Sequence, residues 1–138
     1  MATTKFDMND DSVVTVIGTG AGGGVLANEL AQKYYHHLLY QEEGRGALEY
    51  LHGRKLTDET IERFNLGYAP AGWDGLLKVA GKRGLSPAAM EKAGLALPRQ
   101  KGEGHYDRFR DRLIFPIHNE TGRVIAFGGR TLNPERQP

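Results

Sequence analysis

The 138-residue sequence contains no cysteine, so a disulfide framework and a thiolate metal site are both excluded. It also contains no apolar run near the roughly 20 residues that a membrane-spanning helix needs. Residues 1–11 are polar and acidic, and they lack the basic and apolar regions of a secretory signal. We therefore predict a cytoplasmic protein that contacts no membrane.

A large net charge is missing as well, because the formal net charge is only +1. The charges are unevenly distributed, however: residues 99–138 hold eight basic and five acidic side chains. An excess of this size does not indicate nucleic-acid binding by itself. The placement of the basic residues along the chain is more informative than their number.

The most informative pattern is the stretch of residues 106–117, YDRFRDRLIFPI, which is followed by GRVIAFGGR at residues 122–130. Successive side chains of a strand point to opposite faces, so alternation here predicts a row of arginines on one face, roughly 6–7 Å apart. That row consists of Arg108, Arg110 and Arg112. The opposite face carries the apolar side chains Phe109, Leu113, Phe115 and Ile117, which we expect to point into a core.

The remaining chain predicts several short elements without strict alternation, which is typical of an α+β fold with a small mixed sheet. Thr57 and Ser86 are predicted N-caps, and Pro87 suits the first helical position. Further short helices are expected at residues 47–52 and 73–80, and short strands at 66–69 and 95–97. We divide the chain into a disordered leader (1–11), a strand–glycine loop–helix segment (12–33) and a main body (34–138).

The body resembles a known family. YDRFRDRLIFPI and GRVIAFGGRTL are similar to the N-terminal subdomain of the catalytic core of bacterial DnaG-type DNA primases. Segments at residues 47–51, 56–64, 66–70 and 93–95, together with Trp73, follow the same order. The resemblance covers about residues 28–133, and it departs from the family at Arg54-Lys55, where Arg-Gly is usual.

The resemblance implies a basic groove that holds single-stranded DNA, with weak and salt-sensitive binding. Tyr106 would stack a base, and Trp73 is either a second stacking side chain or, as we expect, part of the core. Asp107 and Asp111 are expected to pair with neighbouring arginines. Gly128 and Gly129 would let a backbone N–H approach a phosphate. The phosphate-contact candidates are Arg108, Arg110, Arg112, Arg123 and Arg130.

The sequence lacks the zinc module of the family, which needs cysteine, and its metal-binding Toprim subdomain. We therefore predict a catalytically incomplete primase-like module that binds single-stranded DNA. It is not expected to be an enzyme, and we predict no metal and no cofactor.

A competing motif lies near the start. Gly18-x-Gly20-x-x-Gly23 follows an apolar run at residues 13–17 and precedes a predicted helix, as in a Rossmann phosphate loop. Glu42 or Glu43 lies about two dozen residues further on, where an acid would meet a ribose hydroxyl. The segment resembles the start of flavin-dependent oxidoreductases of the glucose-methanol-choline type, so the alternative function is a dinucleotide-binding fragment for FAD or NAD.

A structural or interaction module without a ligand is a third alternative. The strand and glycine-rich loop within residues 12–30, if the strand had no neighbours, would expose an apolar edge that favours pairing with a second copy. A homodimer is therefore a further expectation.

Overall fold

The computed structural model describes residues 24–132 and, for residues 13–18, the backbone alone. Five α-helices and six strands are present in this part of the chain. The helices are α1 (Gly24–Leu39), α2 (Arg45–Gly53), α3 (Asp58–Phe64), α4 (Gly75–Lys82) and α5 (Pro87–Lys92). The strands are β1 (Val13–Gly18), β2 (Gly67–Ala69), β3 (Ala96–Pro98), β4 (His105–Asp107), β5 (Arg112–His118) and β6 (Val124–Thr131). The predicted α+β class is confirmed.

The strands form two separate sheets. The larger sheet has the order β1-β6-β5-β2, and β3 pairs with β4 in a two-stranded sheet. Every pairing is antiparallel, whereas a mixed sheet was expected. The β5–β6 hairpin places Leu113 opposite Arg130 and Ile114 opposite Gly129, with an irregularity between Ile117 and His118.

The core lies on both faces of the larger sheet. Ile114 and Phe127 pack with the buried face of α1, where the Tyr35 ring meets Phe127 edge-on at 6.2 Å. The neighbouring Leu113 faces the other way, into a cluster formed with residues of α2 and α3. Leu113 and Ile114 are both fully buried, so β5 does not have the one apolar and one cationic face that its alternation predicts.

Local capping signals in the sequence are confirmed. The Thr57 hydroxyl accepts a hydrogen bond from the N–H of Thr60 at 3.2 Å and begins α3. The Ser86 hydroxyl accepts from the N–H of Ala89 at 3.1 Å, with Pro87 at the first helical position of α5. Such a cap satisfies one of the N–H groups that have no acceptor within the helix.

The predicted continuous strand over residues 106–117 is wrong. The chain leaves β4 after Asp107 and enters β5 only at Arg112, and Asp111 has a φ of 55°. Aspartate tolerates this left-handed conformation better than most side chains. The N–H groups of Arg108 and Asp111 donate to the carbonyls of Leu95 and Pro70, which fixes the connection between the two sheets. Arg108, Arg110 and Arg112 therefore do not form a row on one strand.

The first strand pairs antiparallel with β6. A Rossmann phosphate loop follows a strand with parallel neighbours, so this pairing contradicts the dinucleotide-binding alternative. Gly18 ends β1, Gly20 and Gly23 lie outside the described residues, and Glu42 is exposed in a short 3-10 helix, Glu42–Gly44.

The pairing of β1 with β6 also removes the reason for expecting a homodimer, because the strand has a neighbour within the chain. The predicted leader, residues 1–11, lies outside the described residues. The predicted boundary between residues 33 and 34 falls within α1, so the division of the chain remains a prediction. Among the residues that the structure describes, no helix is long and apolar enough to cross a membrane.

Candidate nucleic-acid interface

Trp73, Tyr106 and Arg110 form a group at the surface that we call the Trp73 cluster, in which Trp73 is exposed and the other two side chains are half-buried. The guanidinium carbon of Arg110 lies 3.8 Å from the centre of the Trp73 ring and 5.8 Å from that of Tyr106. The two aromatic rings are 5.6 Å apart at an interplanar angle of 77°. Trp73 is 55% exposed, so the expectation of a core tryptophan is wrong.

Three different parts of the fold bring this cluster together. Trp73 precedes α4, Tyr106 lies in β4, and Arg110 lies in the connection between β4 and β5. The N–H of Asp107 donates to the carbonyl of Trp73 at 2.7 Å, which fixes the Trp73 backbone against β4. The cluster is therefore supported by backbone hydrogen bonds as well as by ring contacts.

Asp107 lies behind the cluster and is only 2% exposed. Its two carboxylate oxygens accept the N–H groups of Leu76 at 2.9 Å and Leu77 at 3.1 Å, at the start of α4. Burial raises the pKa of Asp107 to about 6, and Asp74 adds to that increase, while the two hydrogen bonds and Arg110 oppose it. The carboxylate thus caps a helix, in place of the arginine pairing that the sequence predicts.

A second group of cations surrounds Tyr50 and is called the Tyr50 cluster here. The guanidinium carbons of Arg54 and Arg130 lie 5.9 Å and 5.5 Å from the centre of the Tyr50 ring. Arg54 also donates to the Tyr50 hydroxyl at 3.4 Å. Sequence reasoning missed Arg54 as a candidate, although its spacing of four from Tyr50 places the two on one helix face.

The other predicted site residues lie in varied places. The Arg112 guanidinium donates to the carbonyls of Arg110 and Asp111, both at 3.1 Å. It is therefore hydrogen-bonded to the backbone of the connection between β4 and β5. Arg108 is half-buried, and its Nε is enclosed. Arg123 is exposed in the β5–β6 turn.

Gly128 and Gly129 occupy the middle of β6, which lies between β1 and β5. Gly128 pairs with Val16 and Phe115, and Gly129 with Thr15 and Ile114, so their backbone groups face neighbouring strands. A phosphate therefore has no open approach to these N–H groups.

Among the predicted acidic residues, Asp111 accepts a hydrogen bond from the Tyr68 hydroxyl at 2.8 Å. Within residues 24–132, no three histidine, aspartate or glutamate side chains gather as a metal site.

A family comparison covers most of the chain. The sequence model of the "DNA primase catalytic core, N-terminal domain" family matches residues 34–138. The chain therefore belongs to this family of DnaG-type primase domains. The DNA primase of Halalkalibacterium halodurans is 44% identical over 113 residues, which are 81% of this chain and 19% of that protein. The DNA primase of Synechocystis sp. is 49% identical over 105 residues, 75% of this chain and 16% of that protein.

Solved structures agree with this assignment. The DnaG primase catalytic domain bound to single-stranded DNA gives a TM-score of 0.75 at 36% identity, covering 83% of this chain and 37% of that one. The RNA polymerase domain of Mycobacterium tuberculosis DnaG gives a TM-score of 0.79 at 32% identity, covering 86% of this chain and 38% of that one. The likeness thus extends through most of the fold.

The prediction that the protein is not an enzyme is wrong, because its relatives are DNA primases and the family is enzymatic. That prediction rested on modules missing from this sequence. The chain spans only 19% and 16% of the length of these two relatives, so most of each relative lies outside the part that it shares with this chain. The absence of those modules from these residues is no argument about activity.

Proposed function

We propose that this chain is a DNA-holding part of a bacterial primase and that it binds single-stranded DNA through the Trp73 cluster. The observation that carries the proposal is the Arg110 guanidinium stacked 3.8 Å from the centre of a tryptophan ring that is 55% exposed. Support also comes from family membership and from the relative whose catalytic domain was solved with single-stranded DNA. In the whole protein, this binding would serve priming in the cytoplasm.

The chemistry of the Trp73 cluster suits an unpaired base. Aromatic rings and guanidinium planes both stack on nucleic-acid bases, and each stacked base contributes about 1–3 kcal/mol. Arg110 adds a positive charge beside the two rings, and a cation of this kind also attracts the phosphate next to a stacked base. Because every base has a flat face, binding should depend little on base identity.

The Tyr50 cluster suits a phosphate. Arg54 and Arg130 approach the same aromatic ring, at 5.9 Å and 5.5 Å from its centre. A guanidinium donates charge-assisted hydrogen bonds to a phosphate, so both arginines are candidates for phosphate contact. Arg123 is a further phosphate-contact candidate because it is exposed.

Trp73 is the only tryptophan in the sequence, so its fluorescence reports directly on the proposed site. We expect a single-stranded oligonucleotide to quench this emission, and the affinity to fall steeply with salt, by about 0.7 in log K per log salt for each phosphate contacted. An Arg110→Ala variant should weaken binding and retain the tryptophan as a reporter.

Two matched variants complete this experiment, with binding followed by the anisotropy of a labelled oligonucleotide. Trp73→Ala should weaken binding about tenfold or more, the loss that corresponds to one stacked base. Tyr40→Ala, which removes an exposed aromatic ring outside the Trp73 cluster, should leave affinity unchanged. The proposal fails if Trp73→Ala and Arg110→Ala both bind as the unmodified protein does at low salt.

A further inference from the structure

Asp107 is bonded to the chain on both sides of Asp74, the residue that precedes α4. Its backbone N–H donates to the carbonyl of Trp73 at 2.7 Å, and its carboxylate accepts the N–H groups of Leu76 and Leu77 at 2.9 Å and 3.1 Å. One buried residue therefore fixes both the backbone of Trp73 and the first turn of the helix that follows it.

We propose that Asp107 is a positioning residue for the Trp73 cluster, and that protonation of its carboxylate loosens the start of α4 and weakens the binding of single-stranded DNA. The step from the cluster to DNA rests on the proposed function. The step from Asp107 to the position of Trp73 stands on the geometry of the free protein.

Protonation would loosen α4 because it reduces the capacity of the Asp107 carboxyl group to accept hydrogen bonds. An ionised carboxylate offers acceptor sites on both oxygens, whereas a protonated one carries an O–H that is a donor. Leu76 and Leu77 lie in the first turn of α4, where N–H groups have no acceptor within the helix. Adding a proton to the oxygen that faces Leu76 or Leu77 makes that oxygen a poorer acceptor, which weakens one of the two hydrogen bonds between the first turn of α4 and the Asp107 carboxylate.

The groups around Asp107 favour a change of charge in the mildly acidic range. Burial, with a contribution from Asp74, raises the pKa of Asp107 to about 6, while the hydrogen bonds from Leu76 and Leu77 and the charge of Arg110 oppose that increase. Helix α1 contributes the phenols of Tyr34 and Tyr35, whose pKa values are raised mainly by burial and then by Asp107. Both phenols therefore stay neutral as the carboxylate gains its proton.

The first test uses the free protein. Trp73 emission is followed as the pH falls from about 7.5 to about 5, a range across which a carboxyl of this pKa changes from mostly ionised to mostly protonated. We expect a single step with a midpoint near pH 6, the pKa of Asp107. In Asp107→Asn the step should be absent, and the emission at neutral pH should match that of the unmodified protein after the step.

Histidines ordinarily change charge over the same range, so one of them provides the control. His105 is two residues from Asp107 in β4 and pairs with Glu91 at 2.7 Å. His105→Gln should retain the step. A step that persists in Asp107→Asn, or one that disappears only in His105→Gln, would overturn the inference.

A second measurement needs no variant and is decisive even if Asp107→Asn does not fold. The carbon-13 shift of the Asp107 carboxyl and the indole N–H shift of Trp73 are followed together by NMR. Equal midpoints for the two signals support the inference, and separate midpoints overturn it.

A final experiment measures DNA binding as a function of pH. As the pH falls through the step, the affinity for an oligonucleotide should fall about fivefold more in the unmodified protein than in Asp107→Asn. This factor corresponds to the loss of one hydrogen bond of ordinary net strength. Equal pH dependence of binding in the two proteins overturns the regulatory part of the inference. If neither protein binds DNA at neutral pH, the proposed function is wrong instead. Trp73 emission and the NMR shifts of the free protein then still test whether Asp107 positions Trp73.

Discussion

The ring of Phe109 lies against the α-carbon of Gly129, so closely that a Cβ added there would come within 2.7 Å of two ring atoms. Phe109 is buried, and its ring also meets Tyr35 edge-on at 6.5 Å. The glycine in β6 therefore accommodates an aromatic side chain of the connection between the two sheets. This contact, rather than an approach by a ligand, explains why a side chain is missing at position 129.

Gly129→Ala should destabilise the fold, because Phe109 is enclosed and has little room to move. Overpacking of this kind costs about 1–3 kcal/mol of unfolding free energy, measurable by urea denaturation. Gly46→Ala is the matched control, since a Cβ at this helical position has nothing within 4 Å. It should stabilise the protein by about 0.4–1 kcal/mol. Equal effects of the two substitutions would refute this account of Gly129.

Thr57→Ala should destabilise α3 by about 1 kcal/mol, because it removes the acceptor for the N–H of Thr60. Chemical denaturation measures the loss. Thr57→Ser retains a hydroxyl at the cap and should recover nearly all of the stability. If serine and alanine were equally destabilising, the methyl group of Thr57 rather than its hydroxyl would be responsible.

Asp107 should change the pH dependence of stability in a definite direction. Its pKa is about 6 in the folded protein, against 3.8 for a fully solvated aspartate, which is the value expected in the unfolded chain. Between these values the folded state holds a proton that the unfolded state has released. The stability linked to Asp107 is therefore fully present below the unfolded value and is lost as the pH rises through about 6.

The measurement is the difference in unfolding free energy between the unmodified protein and Asp107→Asn at several pH values. As the pH falls from about 7 to about 5, the unfolding free energy of the unmodified protein should rise relative to that of Asp107→Asn. The other titrating groups are the same in both proteins and cancel in the comparison. If the relative unfolding free energy of the unmodified protein instead fell as the pH was lowered, the folded state would favour the ionised carboxylate of Asp107.

Arg54→Gln should reduce affinity for a single-stranded oligonucleotide and lower the salt dependence by about one phosphate contact. Arg63→Gln is the matched control, because Arg63 also lies over an aromatic ring, Phe64 at 5.9 Å, and no second guanidinium within residues 24–132 lies over that ring. Titrations at two salt concentrations compare the variants. Equal losses in both would indicate a general effect of net charge, with no special role for the Tyr50 cluster.

Much of the fold could be predicted from local sequence signals. Thr57 and Ser86 cap helices because their hydroxyls serve N–H groups three residues away, a relationship visible in the sequence. The β5–β6 hairpin likewise follows from two apolar runs around a short polar turn. The family resemblance identified the domain correctly because it depended on several separated motifs rather than on one.

The geometry of the site could not be predicted in the same way. The alternation around Arg110 is that of a strand, but the chain is not a strand between Asp107 and Arg112, and Asp111 has a left-handed φ. The Trp73 ring contacts Arg110, 37 positions further along the chain, and no local sequence pattern contains such a contact. Burial of β5 on both faces depends on helices α1 and α2, which pack against it from opposite sides.

The arrangement of the sheets has a consequence for how the protein assembles. β2 pairs with β5 although β3 and β4, with two helices, come between them in the sequence, and the Tyr68–Asp111 bond spans 43 residues. Joining such distant segments costs more loop entropy than closing a hairpin, so this pairing should form after local helices and turns. During synthesis, Trp73 would remain without Tyr106 and Arg110 until most of the domain had left the ribosome.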